Sequence, residues 1–134
     1  LKKYRDLDIS ETKLLTIKHP TAVISKYSKI GKGVSIHPFV NVGPGVILKN
    51  NIHIFSHSLI GHNTTLNDFS YVANNASIGA FVKIKEGSYI GMNSSIKERV
   101  TLGKWSVVGM GSVVIKNVKE NSVVVGNPAK NLIK

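Results

Sequence analysis

The chain contains no cysteine. That excludes disulfide staples and thiolate metal sites, and it fits a reducing cytoplasm. Acidic residues are scarce: seven Asp and Glu stand against eighteen Lys and Arg, for a formal net charge of +11. Such a balance suits either an anionic partner or a lysine-coated, solvated surface. The lysines are scattered and no aromatic-basic recognition motif runs through them, which argues against nucleic acid. No apolar run reaches the length of a membrane span, and no signal-peptide pattern is present. With 134 residues, one domain is the natural count.

What the chain does have is a ladder. From Ile24 to Val114, every sixth residue is Val, Ile or Leu, without a gap. A six-residue period fits neither an α-helix nor a simple alternating strand. It fits a solenoid in which each six-residue side points one aliphatic side chain at a shared axis. The residue four places on from each aliphatic is small or β-branched, as in Ser58, Thr64, Ser70, Ala76 and Val82. A narrow prism needs this, because the second inward side chain must pack beside the first. The residue just after the aliphatic is often glycine, as at Gly61, Gly79, Gly91, Gly103 and Gly109. These glycines are expected to make the corners, where positive φ suits glycine. Three sides close a coil of eighteen residues, so residues eighteen apart stack as parallel strands about 4.8 Å apart. Periodicity alone does not set the hand of the coil.

The ladder divides the chain. Residues 1–22 read as a lead-in, or as a linker from a preceding N-terminal domain, with one short helix expected over 5–15. The chain begins at Leu1 rather than Met, as a piece of something longer would. Residues 23–118 form the solenoid. Residues 119–134 break the period and are expected to cap its end, with Val123, Val124 and Val125 as one more strand. An uncovered solenoid end exposes core and strand edges.

Five histidines are candidates for chemistry: His19, His37, His53, His57 and His62. His57 lies three residues after Ile54, and His62 lies two after Ile60. Both phases point outward near a corner, so neither is a core histidine.

The ladder, the His19-Pro20-Thr21-Ala22 lead-in, the Gly61-His62-Asn63 segment and the Gly126-Asn127-Pro128-Ala129-Lys130 ending together resemble a known family. They are similar to the C-terminal domain of hexapeptide-repeat sugar O- and N-acetyltransferases of the sialic-acid and bacillosamine-pathway type. The resemblance covers about residues 17–134. It implies an all-β, left-handed parallel β-helix that assembles as a homotrimer, with acetyl-CoA in the groove between neighbouring helices. It implies acetyl transfer to an amine or hydroxyl of a sugar or nucleotide sugar, directly, without an acyl-enzyme. The family's general base falls on His62. A backbone amide is expected to hold the oxyanion.

Two departures stand out. Asn63 follows the histidine where the family often has Asp or Glu, and Asp68 is a possible substitute. The family's N-terminal nucleotide-sugar domain has no counterpart in this sequence. For the co-substrate, Gly61 stacks with Gly79 and Gly91 with Gly109, giving side-chain-free columns on which pantetheine can lie. Lys130 is a candidate for a CoA phosphate, and His57 for substrate placement. A rival from another class is a γ-class carbonic-anhydrase-like zinc site, since His57 and His62 have a suitable five-residue spacing. It needs a third ligand from His37 or His53, and its ladder phase is displaced by one residue. The expectation is therefore no metal. A non-catalytic trimeric scaffold is the other alternative.

Overall fold

A computed structural model describes residues 14–132. Short parallel strands stack into three sheets that form the sides of a triangular prism. Face A runs Ile17–Lys18, Ser35–Ile36, His53–Ile54, Tyr71–Val72, Tyr89–Ile90, Val107–Val108 and Val123–Val125, and ends in the antiparallel strand Lys130–Asn131. Face B stacks Val23–Ile24, Asn41–Val42, Leu59–Ile60, Ser77–Ile78, Ser95–Ile96 and Val113–Val114. Face C stacks Lys29–Ile30, Ile47–Leu48, Thr65–Leu66, Lys83–Ile84 and Thr101–Leu102. The register is the expected eighteen residues, as in Tyr71 with Tyr89 and Ser77 with Ser95. Strand stacking runs from Ile17 to Val125, beyond both ends of the 23–118 span. The helix expected over 5–15 lies almost wholly outside the described residues.

The ladder fills the axis. From Ile36 to Val114 each aliphatic is buried, while Ile24 and Ile30 of the first coil are only partly covered. The second inward column is buried too, including Ser58, Thr64, Ser70, Ser88, Ser94, Ser106 and Ser112. A buried hydroxyl is costly unless it is bonded, and most of these donate to the coils' own carbonyls, while Ser106 Oγ pairs with Ser88 Oγ at 3.5 Å and Ser112 Oγ accepts from Gly126 N at 3.2 Å. Ser58 Oγ donates to Ala73 O at 2.9 Å and Thr64 Oγ1 to Gly79 O at 2.9 Å. No buried side-chain polar atom lacks a partner among the described residues.

The corners correct one expectation. Positive φ falls three residues after each aliphatic from Ile30 to Val108, not one. Gly33, Gly45, Gly87 and Gly111 occupy that place, but so do Asn51, Asn63, Asn75 and Asn93, and even Phe39, His57, Phe81, Arg99 and Trp105. Gly61, Gly79, Gly91 and Gly109 have ordinary φ. They are small for another reason: the next coil crosses directly over them. A Cβ on Gly61 would sit 2.5 Å from the carbonyl carbon of Gly79, and one on Gly91 2.6 Å from Met110 N.

Charge is segregated by side. Between Pro20 and Val114, every Lys, Arg, Asp and Glu lies on face C or at one of its two corners. Over that span faces A and B and the corner between them carry none, while Lys18 and Lys130 lie at the two ends of face A.

Candidate functional site

His62 sits at the corner between faces B and C, directly after the strand Leu59–Ile60. The corner folds there because Asn63 takes up φ 56°, a conformation asparagine tolerates better than most residues. The carbonyl of His62 accepts from Phe81 N at 3.0 Å, which ties it to the next coil. Its ring is exposed, and meets the Phe81 ring edge-on with centroids 5.0 Å apart. Arg99 covers Phe81 in turn, its guanidinium 4.6 Å from the ring centroid.

Asn63 holds the imidazole. Its Nδ2 lies 3.1 Å from His62 Nδ1. Its Oδ1 reaches over Gly45 in the preceding coil, where a Cβ would collide with it. With the NH2 group towards Nδ1, the ring hydrogen sits on Nε2. The two orientations of a carboxamide are isosteric. Turned over, the oxygen accepts from Nδ1–H and leaves Nε2 as a free base.

A strip without large side chains adjoins this histidine. Gly61 precedes it, and Gly79 and Ala80 lie one coil above. At the equivalent position of the corner between C and A, the backbone N–H groups are capped: Asn50 Oδ1 accepts from Lys32 N at 3.0 Å, and Asp68 Oδ1 from Asn50 N at 2.8 Å. Ala80 N–H has no such partner among the described residues. It lies eighteen residues after His62, one coil above it. The sequence held the signal for Ala80 in that spacing, but only the structure distinguishes a free amide from a capped one.

The other candidates are elsewhere. Asp68 is on the corner between C and A, engaged with Asn50, so within the chain it does not support His62. His57 is at the far end of the same face-B strand, on the corner between A and B, with φ 63° and its ring stacked on Phe39 at 5.0 Å. Gly91 and Gly109 stack at that same corner, away from His62. Lys130 is exposed on the terminal strand of face A. The structure thus brings together His62, Asn63, Gly61 and Gly79, and leaves His57, Gly91, Gly109 and Lys130 apart. No group of three His, Cys, Asp or Glu among the described residues is placed to hold a metal ion.

Sequence reading did not single out an aromatic ladder on face A. His37 stacks on Phe55 at 4.3 Å, Phe55 meets Tyr71 at 4.7 Å, and Tyr71 stacks on Tyr89 at 5.0 Å. Beside it, His53 Nδ1 lies 2.7 Å from Ser35 Oγ. His53 keeps an exposed edge, but its partial desolvation, and then the nearby His37, lower its pKa from the usual 6.5. The signal for this ladder was the eighteen-residue spacing of 53, 71 and 89.

Comparison with known proteins fits this geometry. Perosamine N-acetyltransferase from Caulobacter crescentus, solved as a histidine-to-asparagine mutant with CoA and GDP-perosamine, superimposes with a TM-score of 0.91. Identity there is 23%, over 99% of this chain and 62% of that one. The acetyltransferase domain of PglB from Neisseria gonorrhoeae FA1090 gives a TM-score of 0.88 at 28% identity, over 90% of this chain and 58% of that one. It has also been solved with acetyl coenzyme A. Acyl-[acyl-carrier-protein]–UDP-N-acetylglucosamine O-acyltransferase from Rickettsia typhi is 36% identical over 58 residues, 39% of this chain and 22% of that protein. The chain therefore spans only part of the length of each of these proteins. The fold is the left-handed parallel β-helix of hexapeptide-repeat sugar acetyltransferases, as expected. The family described as the GMPPB C-terminal domain matches residues 15–124, and the chain belongs to it.

Proposed function

We propose that this β-helix transfers acetyl from acetyl-CoA to an amine or hydroxyl of a sugar or nucleotide sugar, with His62 as general base. The observation that carries the reading is the juxtaposition at one corner. An exposed imidazole is held by Asn63 and lies one coil below the side-chain-free strip and the unpartnered Ala80 N–H. His62 Nε2 removes the acceptor's proton as its nitrogen or oxygen attacks the thioester carbon. Ala80 N–H stabilises the charge that develops on the carbonyl oxygen. The carbon–sulfur bond then breaks, and the imidazolium returns its proton to the leaving thiolate. Asn63 keeps the ring in the orientation this requires, with Oδ1 towards Nδ1–H. Gly61 and Gly79 let the pantetheine arm approach the backbone.

The same reading includes a homotrimer, because one corner is too shallow to enclose a co-substrate. It includes a cytoplasmic location. It also includes an acceptor site built largely by a domain preceding residues 1–22, with 23–118 as the catalytic solenoid and 119–134 as its cap. His57, Gly91, Gly109 and Lys130 stay in it only as contributions from another part of the assembly. Titration calorimetry with acetyl-CoA, with elemental analysis of the purified protein, tests it. Stoichiometric heat of binding and no metal is the expected result. No binding of acetyl-CoA, together with stoichiometric zinc, would transfer the chain to the zinc class.

A further inference from the structure

We infer that the foot of the corner between faces B and C is an anion subsite, in which Lys26, beside Tyr27, holds the diphosphate of a nucleoside diphosphate sugar while the sugar reaches His62. This rests on the acetyl transfer proposed above and places part of the acceptor's site on the β-helix itself. The first observation is alignment. Lys26, Pro44 and His62 form one column, two residues after Ile24, Val42 and Ile60, whose strands pair in register. Two coils, at about 4.8 Å each, put Lys26 roughly 10 Å below His62. The surface between them is bare. Gly43 and Gly45 flank Pro44, and the Asn63 carboxamide that holds the imidazole lies over Gly45. With the glycine strip for the co-substrate above the histidine, the acceptor has this lower stretch of the corner to occupy.

The second observation is charge. From residue 14 to residue 67 the chain has five lysines, Lys18, Lys26, Lys29, Lys32 and Lys49, and no Asp or Glu. The carboxylates of the described residues, Asp68, Glu86, Glu98 and Glu120, all come later. Lys26 has no carboxylate partner among the described residues, and its ammonium lies 5.1 Å from the centroid of the Tyr27 ring instead. An uncompensated ammonium is a point charge suited to phosphate. A pocket of about 350 Å³ adjoins it at the open end of the first coil, lined by Lys18, Ile24, Ser25, Lys26, Ser28 and Ile30. It adds a second ammonium and the Ser25 hydroxyl, whose oxygen accepts from Tyr27 N at 3.3 Å and whose proton is left to donate. Tyr27, 68% exposed, presents a flat ring on which a nucleobase can stack.

Length decides which anion fits. About six covalent bonds, each about 1.5 Å, join a sugar-ring amine or hydroxyl to the nearer phosphorus of a nucleoside diphosphate sugar, against about thirteen from the thioester sulfur of CoA to its nearest phosphorus. An acceptor whose reacting atom is at His62 Nε2 therefore brings its diphosphate within reach of the Lys26 side chain, and its base to Tyr27. The phosphates of CoA, extended the other way along the glycine strip, lie beyond that reach. Lys26 thus serves the acceptor and not the donor, and selects a sugar that carries a diphosphate over one that does not.

Titration calorimetry with UDP, GDP and inorganic pyrophosphate as probes tests this. The chain is expected to bind all three, and Lys26→Gln to weaken each about tenfold or more, the loss of one charge-assisted contact. Tyr27→Ala should weaken UDP and GDP while leaving pyrophosphate nearly unchanged. Lys49→Gln, on the corner between C and A, should leave all three as they are. Acetyl-CoA affinity should be the same in every variant, and a saturating diphosphate should not displace it. No binding of the three probes, or binding that Lys26→Gln leaves intact, overturns the subsite. Displacement of acetyl-CoA by the diphosphates overturns it too, because the anion then occupies the co-substrate's place. An equal loss of all three probes in Tyr27→Ala overturns the nucleoside assignment. A chain that binds the diphosphates through Lys26 but does not bind acetyl-CoA would overturn the acetyl-transfer reading alone, so the two failures are distinguishable.

Discussion

At the scale of single residues, His62 and His57 separate cleanly. Both are exposed, and both sit at corners of the same coil. Only His62 has a polar group on its ring nitrogen and a glycine column beside it. General-base catalysis contributes about 10²–10⁴-fold. In steady-state assays, His62→Ala is expected to lower acetyl transfer by that factor while calorimetry shows acetyl-CoA affinity nearly unchanged. His57→Ala should cost far less. Asn63→Asp should hold activity or raise it, because a carboxylate can only accept from Nδ1–H and so fixes the productive tautomer. A fully active His62→Ala would end the assignment. His53 tests a different kind of claim. Its pKa is lowered in the fold, so the folded state disfavours the protonated ring. As pH falls through 6.5, the unfolded chain takes up the proton first and stability drops. The loss continues until the folded-state pKa is passed. Thermal melts between about pH 7.5 and 5 should therefore show a decline that is shallower in His53→Asn. An unchanged slope would mean that the ring's burial is immaterial.

At the scale of the coil, glycine does two jobs that the sequence does not distinguish. The ladder and its small partners were fully legible, because a six-residue period in the core has few other physical solutions. The corners were not. Asn, Phe, His, Arg and Trp all occupy the positive-φ position, so composition gives no marker for it. The glycines that drew attention are set by the coil above. Gly61→Ala should destabilise by about 1–3 kcal/mol, the usual cost of forcing atoms into a packed interior. Gly111→Asn should be nearly neutral. Its φ of 67° is close to those that five asparagines adopt, and nothing lies within 4 Å of the added Cβ. Chemical denaturation of the two variants side by side checks the distinction, and equal destabilisation would contradict it. The exposed corner position of His62 was legible from its ladder phase. Ala80 was not, because the freedom of an N–H depends on which side chains lie eighteen residues further on.

For the whole molecule, the decisive feature is that, among the described residues, face C and its corners carry nearly all the charge. The excess of positive charge on face C and its corners costs stability through self-repulsion, but it attracts anions. The two effects respond oppositely to salt. Raising ionic strength from about 0.01 M to about 1 M shortens the screening length from about 30 Å to about 3 Å. Repulsion among the lysines is then screened, so the melting temperature should rise. Acetyl-CoA carries phosphates, and its attraction to the basic side is screened equally, so its affinity should fall across the same series. Two readouts from one salt titration thus have opposite assigned signs. If affinity and melting temperature move together, the anion is not recognised by this charge distribution.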